Sequence, residues 1–218
     1  MYFESRGQAG RMLAEQLIET YRYEDCAVVA LNDGAVLVGE QIAAMLHCVL
    51  TMLVTEEIEI PGENLSFGAI SQGGGFTYNA EFTQGEIDGY TSEFHGYLSE
   101  ERRKAFQKIN RLLGDGGTID LDLLRHRNVI LVSDGLDSIS ELGVALDFLK
   151  PVQTKKIIIA SPIATVPVVD LVHIKSDEVH ILDVKVNYLA TDHYYEVNDI
   201  PSHEETVARI SQIIMRWR

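Results

Sequence analysis

The stretch Asn128-Val129-Ile130-Leu131-Val132-Ser133-Asp134-Gly135-Leu136-Asp137-Ser138-Ile139-Ser140-Glu141 constrains this chain more than any other. Residues 129–132 are apolar, and three of the four are β-branched, which predicts a strand buried on both faces. A turn at Asp134-Gly135 follows, and Leu142, Ala145, Leu146 and Leu149 then recur at helical spacing. A buried strand that runs through a short polar loop into a helix is the unit of an α/β sheet. Such sheets bind ligands at the carboxyl edge of their strands. The loop after this strand is therefore the first place to look for a site.

The rest of the chain repeats the alternation. Residues 5–23 read as an amphipathic helix with Ala9, Met12, Leu13, Leu17 and Ile18 on one face and Arg11, Glu15 and Glu19 on the other. Residues 27–31 form a short apolar strand, turned by Asn32-Asp33-Gly34-Ala35 into a helix over 36–46, and 49–54 is the next strand. This is a βαβ unit with a right-handed crossover. Residues 55–63 are acidic and carry a turn at Pro61-Gly62. Residues 67–71 and 76–82 flank Gly73-Gly74-Gly75 as a β-hairpin with a flexible tip. Residues 86–113 are mostly helical, Glu100 to Lys104 being a solvated charged face, and Gly114 to Gly117 break the helix. A strand over 156–160, a helix over 166–173, a strand over 179–184, a polar aromatic loop over 192–201 and a closing helix over 204–217 complete the pattern. In that last helix Ile210, Ile213, Ile214 and Trp217 suit the core better than a partner surface. The fold class is α/β, with a central, mainly parallel sheet flanked by helices, in a single domain over 1–218.

Composition narrows the function. A chain with 46% hydrophobic and 23% charged residues is globular rather than disordered. The net charge of −15 argues against nucleic acid as a partner. No apolar run is long enough for a membrane span, and Met1-Tyr2-Phe3-Glu4 does not open a signal peptide. Two cysteines, Cys26 and Cys48, make no disulfide framework and suit a cytoplasmic location. The seven histidines form no zinc motif, and Gly73-Gly74-Gly75 lacks the helix and Lys of a P-loop. No nucleophile elbow and no Cys/His pair is present, so neither a catalytic residue nor a metal ligand is assigned.

The central stretch resembles the signature of the type I phosphoribosyltransferases: a hydrophobic strand, two acidic residues, a Gly, and a Thr-Gly-x-Thr loop. Ser133 stands for the first acid and Asp134 for the second, Gly135 is kept, and Ser138 replaces the first Thr. Ile139 replaces the loop Gly and Glu141 the last Thr, with Asp137 and Ser140 between. The order of segments along the whole chain is similar to that of a branch of predicted bacterial phosphoribosyltransferases. The resemblance implies the type I fold with a small hood from the terminal segments and a flexible-loop region near 55–85. It implies that Asp134 faces the ribose of phosphoribosyl pyrophosphate, that residues 135–141 face its 5′-phosphate, and that Asn32, Asp33, Gly34 and Ala35 face its pyrophosphate. No cofactor is certain, and an active member would use Mg²⁺. A nucleotide-like small molecule and a second copy of the chain are the partners implied.

The departures from that signature share a direction. An Arg is usual in the turn after the first strand, and Asp33 stands in its place. The second strand usually ends in Arg-Lys, and here it runs into Thr55-Glu56-Glu57. Like charges about 4 Å apart cost on the order of 1 kcal/mol in water and about 4 kcal/mol at an effective dielectric near 20. Two or three carboxylates facing a diphosphate would remove several powers of ten in affinity. Ser138-x-x-Glu141 also reads as a capping box, which would give the helix N-terminus its negative charge from within the chain. Asp33, Glu56, Glu57, Asp134 and Asp137 either converge on an acidic cleft or stay apart as solvated charges. Two functional readings follow. One is a Mg²⁺-dependent phosphoribosyltransferase acting on a base or other nucleophile. The other, favoured by the lost bases, is a non-catalytic binding or regulatory relative.

Overall fold

The structure is a computed structural model that describes residues 1–63, 65–79, 82–113 and 119–216, and the side chains of all of these except 140 and 211–216. In chain order the elements are α1 (Arg6–Tyr21), β1 (Cys26–Ala30), α2 (Asp33–Leu46), β2 (Val49–Met52), β3 (Thr55–Glu59), β4 (Ser66–Ser71) and β5 (Phe76–Tyr78). There follow α3 (Gln84–Glu93), α4 (His95–Leu113), β6 (Asn128–Val132), α5 (Ser140–Leu149), β7 (Lys156–Thr165), α6 (Val166–Lys175), β8 (Glu178–Lys185) and α7 (His203–Arg216). The chain divides into two compact units. The first comprises Met1–Met52, Ile119–Ser138 and Val152–Arg218, the second Leu53–Thr118 and Ile139–Pro151.

The first unit holds a five-stranded sheet in the order β2-β1-β6-β7-β8, parallel throughout. Every residue of β1 and β6 is buried, which is why both read as unbroken apolar runs rather than alternating ones. Leu13 and Leu17 of α1 and Val36, Val38 and Ile42 of α2 pack with Val28, Leu50, Ile130 and Ile158 in one aliphatic core, and Ile210 of α7 lies against it. The core placement of Ile210 agrees with the sequence. The side chains of Ile213 and Ile214, all of Trp217, and the break at Gly114 to Gly117 lie outside the described residues.

The second unit holds an antiparallel sheet in the order β3-β4-β5. The expected hairpin is present as β4 and β5. The acidic stretch before it is a strand of its own, because Ile58 is buried while Glu57 and Glu59 point outward with the period of two of a pleated ribbon. Phe67 is fully buried in this unit, with Phe76, Tyr78, Phe82 and Tyr90 around it.

One boundary changes the reading of the site. Asn32 to Ala35 are not a free turn. The α2 helix starts at Asp33, and the Asn32 side chain, at the N-cap, accepts a hydrogen bond from the Ala35 amide at 2.8 Å.

Candidate functional site

Strand order locates the site before any side chain is considered. From β1 the chain crosses to β2 on one side, and from β6 it crosses to β7 on the other, so the order reverses between β1 and β6. In open α/β sheets the ligand crevice lies outside the carboxyl ends of the strands at this switch point. Here β1 ends at Asn32-Asp33-Gly34 and β6 ends at Ser133-Asp134-Gly135. The segment after β8, residues 188–199, reaches the same edge.

A single guanidinium ties the last two of these segments together. Arg6, in the first turn of α1, is fully buried. Its Nε donates to Asp134 Oδ2 at 2.7 Å, one terminal nitrogen donates to Asp192 Oδ1 at 2.5 Å, and the other donates to Asn198 Oδ1 at 3.2 Å and Asp199 Oδ1 at 3.4 Å. The guanidinium carbon lies 4.4 Å from the centre of the Tyr195 ring, a cation–π contact. The Tyr195 hydroxyl donates to the Asp134 carbonyl oxygen at 2.6 Å. Burial works against the charge on Arg6, but Asp134 and Asp192 outweigh it and hold the guanidinium above its ordinary pKa. Burial pushes the Asp134 carboxyl up, against the pull of Arg6 and of a hydrogen bond from Asn32. Burial also pushes the Tyr188 hydroxyl up to about 12.

Two glycines allow this closeness. A Cβ on Gly34 would land on the Asp134 carboxylate and 2.8 Å from Arg6 Nε. A Cβ on Gly135 would strike the Tyr188 hydroxyl and come within 2.7 Å of Thr191. Gly135 is therefore needed where residues 188–191 pass over the loop, whatever else it does.

The residues singled out from the sequence are placed as follows. Ser133 is buried, and its hydroxyl turns into its own loop, donating to the Gly135 carbonyl at 3.0 Å and accepting from the Gly135 amide at 3.2 Å. Asp134 is 5% exposed. Asp137 and Ser138 are exposed, while Ile139, Ser140 and Glu141 belong to the second unit. Asp33 meets Nδ1 of His203, the first residue of α7, at 3.1 Å. Glu56 pairs with Lys108 at 2.7 Å within the second unit. The capping box expected at Ser138 and Glu141 is corrected. The N-cap of α5 is Ile139, which has no side-chain acceptor, so no side-chain cap bond forms there. A capping box does occur, at Thr83 and Glu86 of α3. Arg6, Asp192, Asn198 and Asp199 were not assigned from the sequence. Arg6 carries a readable signal, since it is in phase with the buried Ala9, Leu13 and Leu17.

No family model matches the chain. Two curated relatives from Mycobacterium tuberculosis strains, each named "Putative phosphoribosyl transferase", are 26% identical over 208 residues, which is 94% of this chain and 46% of theirs. The chain is similar to these putative phosphoribosyl transferases over nearly all of its own length. It spans a little under half the length of those relatives. The protein TT1426 from Thermus thermophilus has the same fold, with a TM-score of 0.73 at 21% identity over 100% of this chain and 99% of that one. A weaker likeness, TM-score 0.48 at 14% identity over 89% and 90% of the two chains, is to a purine phosphoribosyltransferase from Pyrococcus horikoshii.

The Mg²⁺ that this resemblance implies for an active member does not fit the donors. Asp134 Oδ2 accepts from Arg6, and the residue beside it, Ser133, carries no carboxylate. Among the described residues, no three His, Cys, Asp or Glu side chains converge as a metal would require. Nor is any helix among them long and apolar enough to cross a membrane.

Proposed function

We propose that this phosphoribosyltransferase-like chain no longer binds phosphoribosyl pyrophosphate tightly and acts as a non-catalytic, cytoplasmic binding or regulatory module. The observation that carries this reading is the buried Arg6–Asp134 pair. Asp134 already gives acceptor capacity to Arg6 and Asn32, which leaves less of its carboxylate for ribose hydroxyls. Charge points the same way. Asp134, Asp192 and Asp199 surround one guanidinium, and Asp33 stands nearby at the end of β1, so a polyanion would meet more carboxylates than cations.

Calorimetric titration with phosphoribosyl pyrophosphate, with and without Mg²⁺, tests the proposal. The expected result is no saturable heat and no thermal shift at millimolar ligand. Micromolar binding that needs Mg²⁺ and weakens in Asp134→Asn would overturn it in favour of an active transferase.

A further inference from the structure

The position of Arg6 supports a more specific statement. A site lined with carboxylates repels a polyphosphate unless a cation stands among them. Here that cation is covalently part of the chain. One guanidinium faces Asp134 from the loop after β6, and Asp192, Asn198 and Asp199 from the segment after β8. Its planar fork, always charged, matches several carboxylates in fixed directions, as a spherical ion coordinated by oxygens does not. Stacking on Tyr195 fixes its plane, and the missing Cβ of Gly34 makes room for it. Each of its three nitrogens has a partner, so the group is fully used rather than stored.

We propose that the Arg6 guanidinium is the resident cation of this edge, that it replaces a divalent metal there, and that it latches residues 192–199 against Asp134. The inference deepens the preceding reading by giving its cause. It predicts a site that is indifferent to Mg²⁺, and a latch specific for a guanidinium rather than for positive charge in general.

The test uses two proteins and no phosphoribosyl pyrophosphate, so its outcome is separate from that of the titration above. In the wild type, Mg²⁺ up to 10 mM should leave the melting temperature unchanged. Tb³⁺ should show no emission sensitised through Tyr188 or Tyr195, the rings beside the site. Tyrosine-sensitised Tb³⁺ emission that is lost in Asp134→Asn would overturn the proposal. In Arg6→Ala, the melting temperature should fall by roughly 10 °C, as removing one member of a buried pair predicts. Methylguanidinium at tens of millimolar should restore at least half of that loss, while methylammonium and Mg²⁺ should not. No rescue by methylguanidinium, or equal rescue by Mg²⁺, would overturn it. If Arg6→Ala does not fold, the wild-type Tb³⁺ and Mg²⁺ titrations decide.

Discussion

In the unit built on the parallel sheet, a fully buried arginine meets three aspartates. In the unit built on the antiparallel sheet, Arg103, Lys104 and Lys108 hold their carboxylate partners at the surface. The first arrangement joins residues 128, 186 and 193 positions apart, whereas two of the surface pairs join residues three apart on α4. Their interiors differ as well. One is a layer of Val, Leu, Ile and Ala, the other a cluster of aromatic rings around Phe67. The contrast shows where charge organises this fold. Ion pairs at the surface are interchangeable, while the buried one fixes which segments meet at the edge of the sheet.

The largest effect should come from Arg6→Met, which leaves Asp134 buried without its cation. We expect a loss of about 3–5 kcal/mol in urea unfolding. Phe67→Ala, the corresponding lesion in the other unit, should cost about 3–4 kcal/mol by opening a cavity in the aromatic cluster. The two lesions can be told apart by thiol labelling, because both cysteines lie in the parallel-sheet unit. Burial pushes Cys26 up to about 11 and Cys48 up to about 12, so at pH 8 neither should react with a disulfide reagent until that unit opens. Arg6→Met should speed labelling at least tenfold and Phe67→Ala much less. Equal acceleration would erase the distinction between the units.

A smaller loss, about 1–2 kcal/mol, is expected for Gly34→Ala. Its Cβ displaces the Asp134 carboxylate, although Gly→Ala in a helix ordinarily gains about 1 kcal/mol. A stabilised Gly34→Ala protein would mean that the Arg6–Asp134 contact is looser than described. The smallest effect belongs to Glu100→Ala, which removes the exposed partner of Arg103 and should leave the unfolding midpoint unchanged within error.

The fold was largely legible because β1 and β6 are continuous apolar runs, each leading through a short polar loop toward a helix. The helix boundary at Asn32 was missed for a local reason. Asn-Asp-Gly favours turns as strongly as it favours a helix N-cap, and only the chain's direct passage into α2 decides between them. The β3 strand was hidden by its three glutamates, whose alternation with Ile58 carries less weight by eye than their charge. At the edge of the sheet, the sequence drew attention to Asp134 and Gly135 but not to Arg6, which donates to Asp134. Nothing local tells α1 that its first turn will meet Asp192 and Asp199. What could have been read is the anomaly itself, a charged residue in step with Ala9, Leu13 and Leu17 on the buried face.

The same separation along the chain bears on how the protein is made. Arg6 leaves the ribosome 186 residues before Asp192, a delay of roughly 10–40 s at ordinary rates of synthesis. Throughout that interval α1 carries a cation on the face it must bury, with Asp192 and Asp199 not yet translated. The Arg6 network can close only once residues 192–199 have been made, and slow passage of the ribosome through residues 134–199 would lengthen that wait.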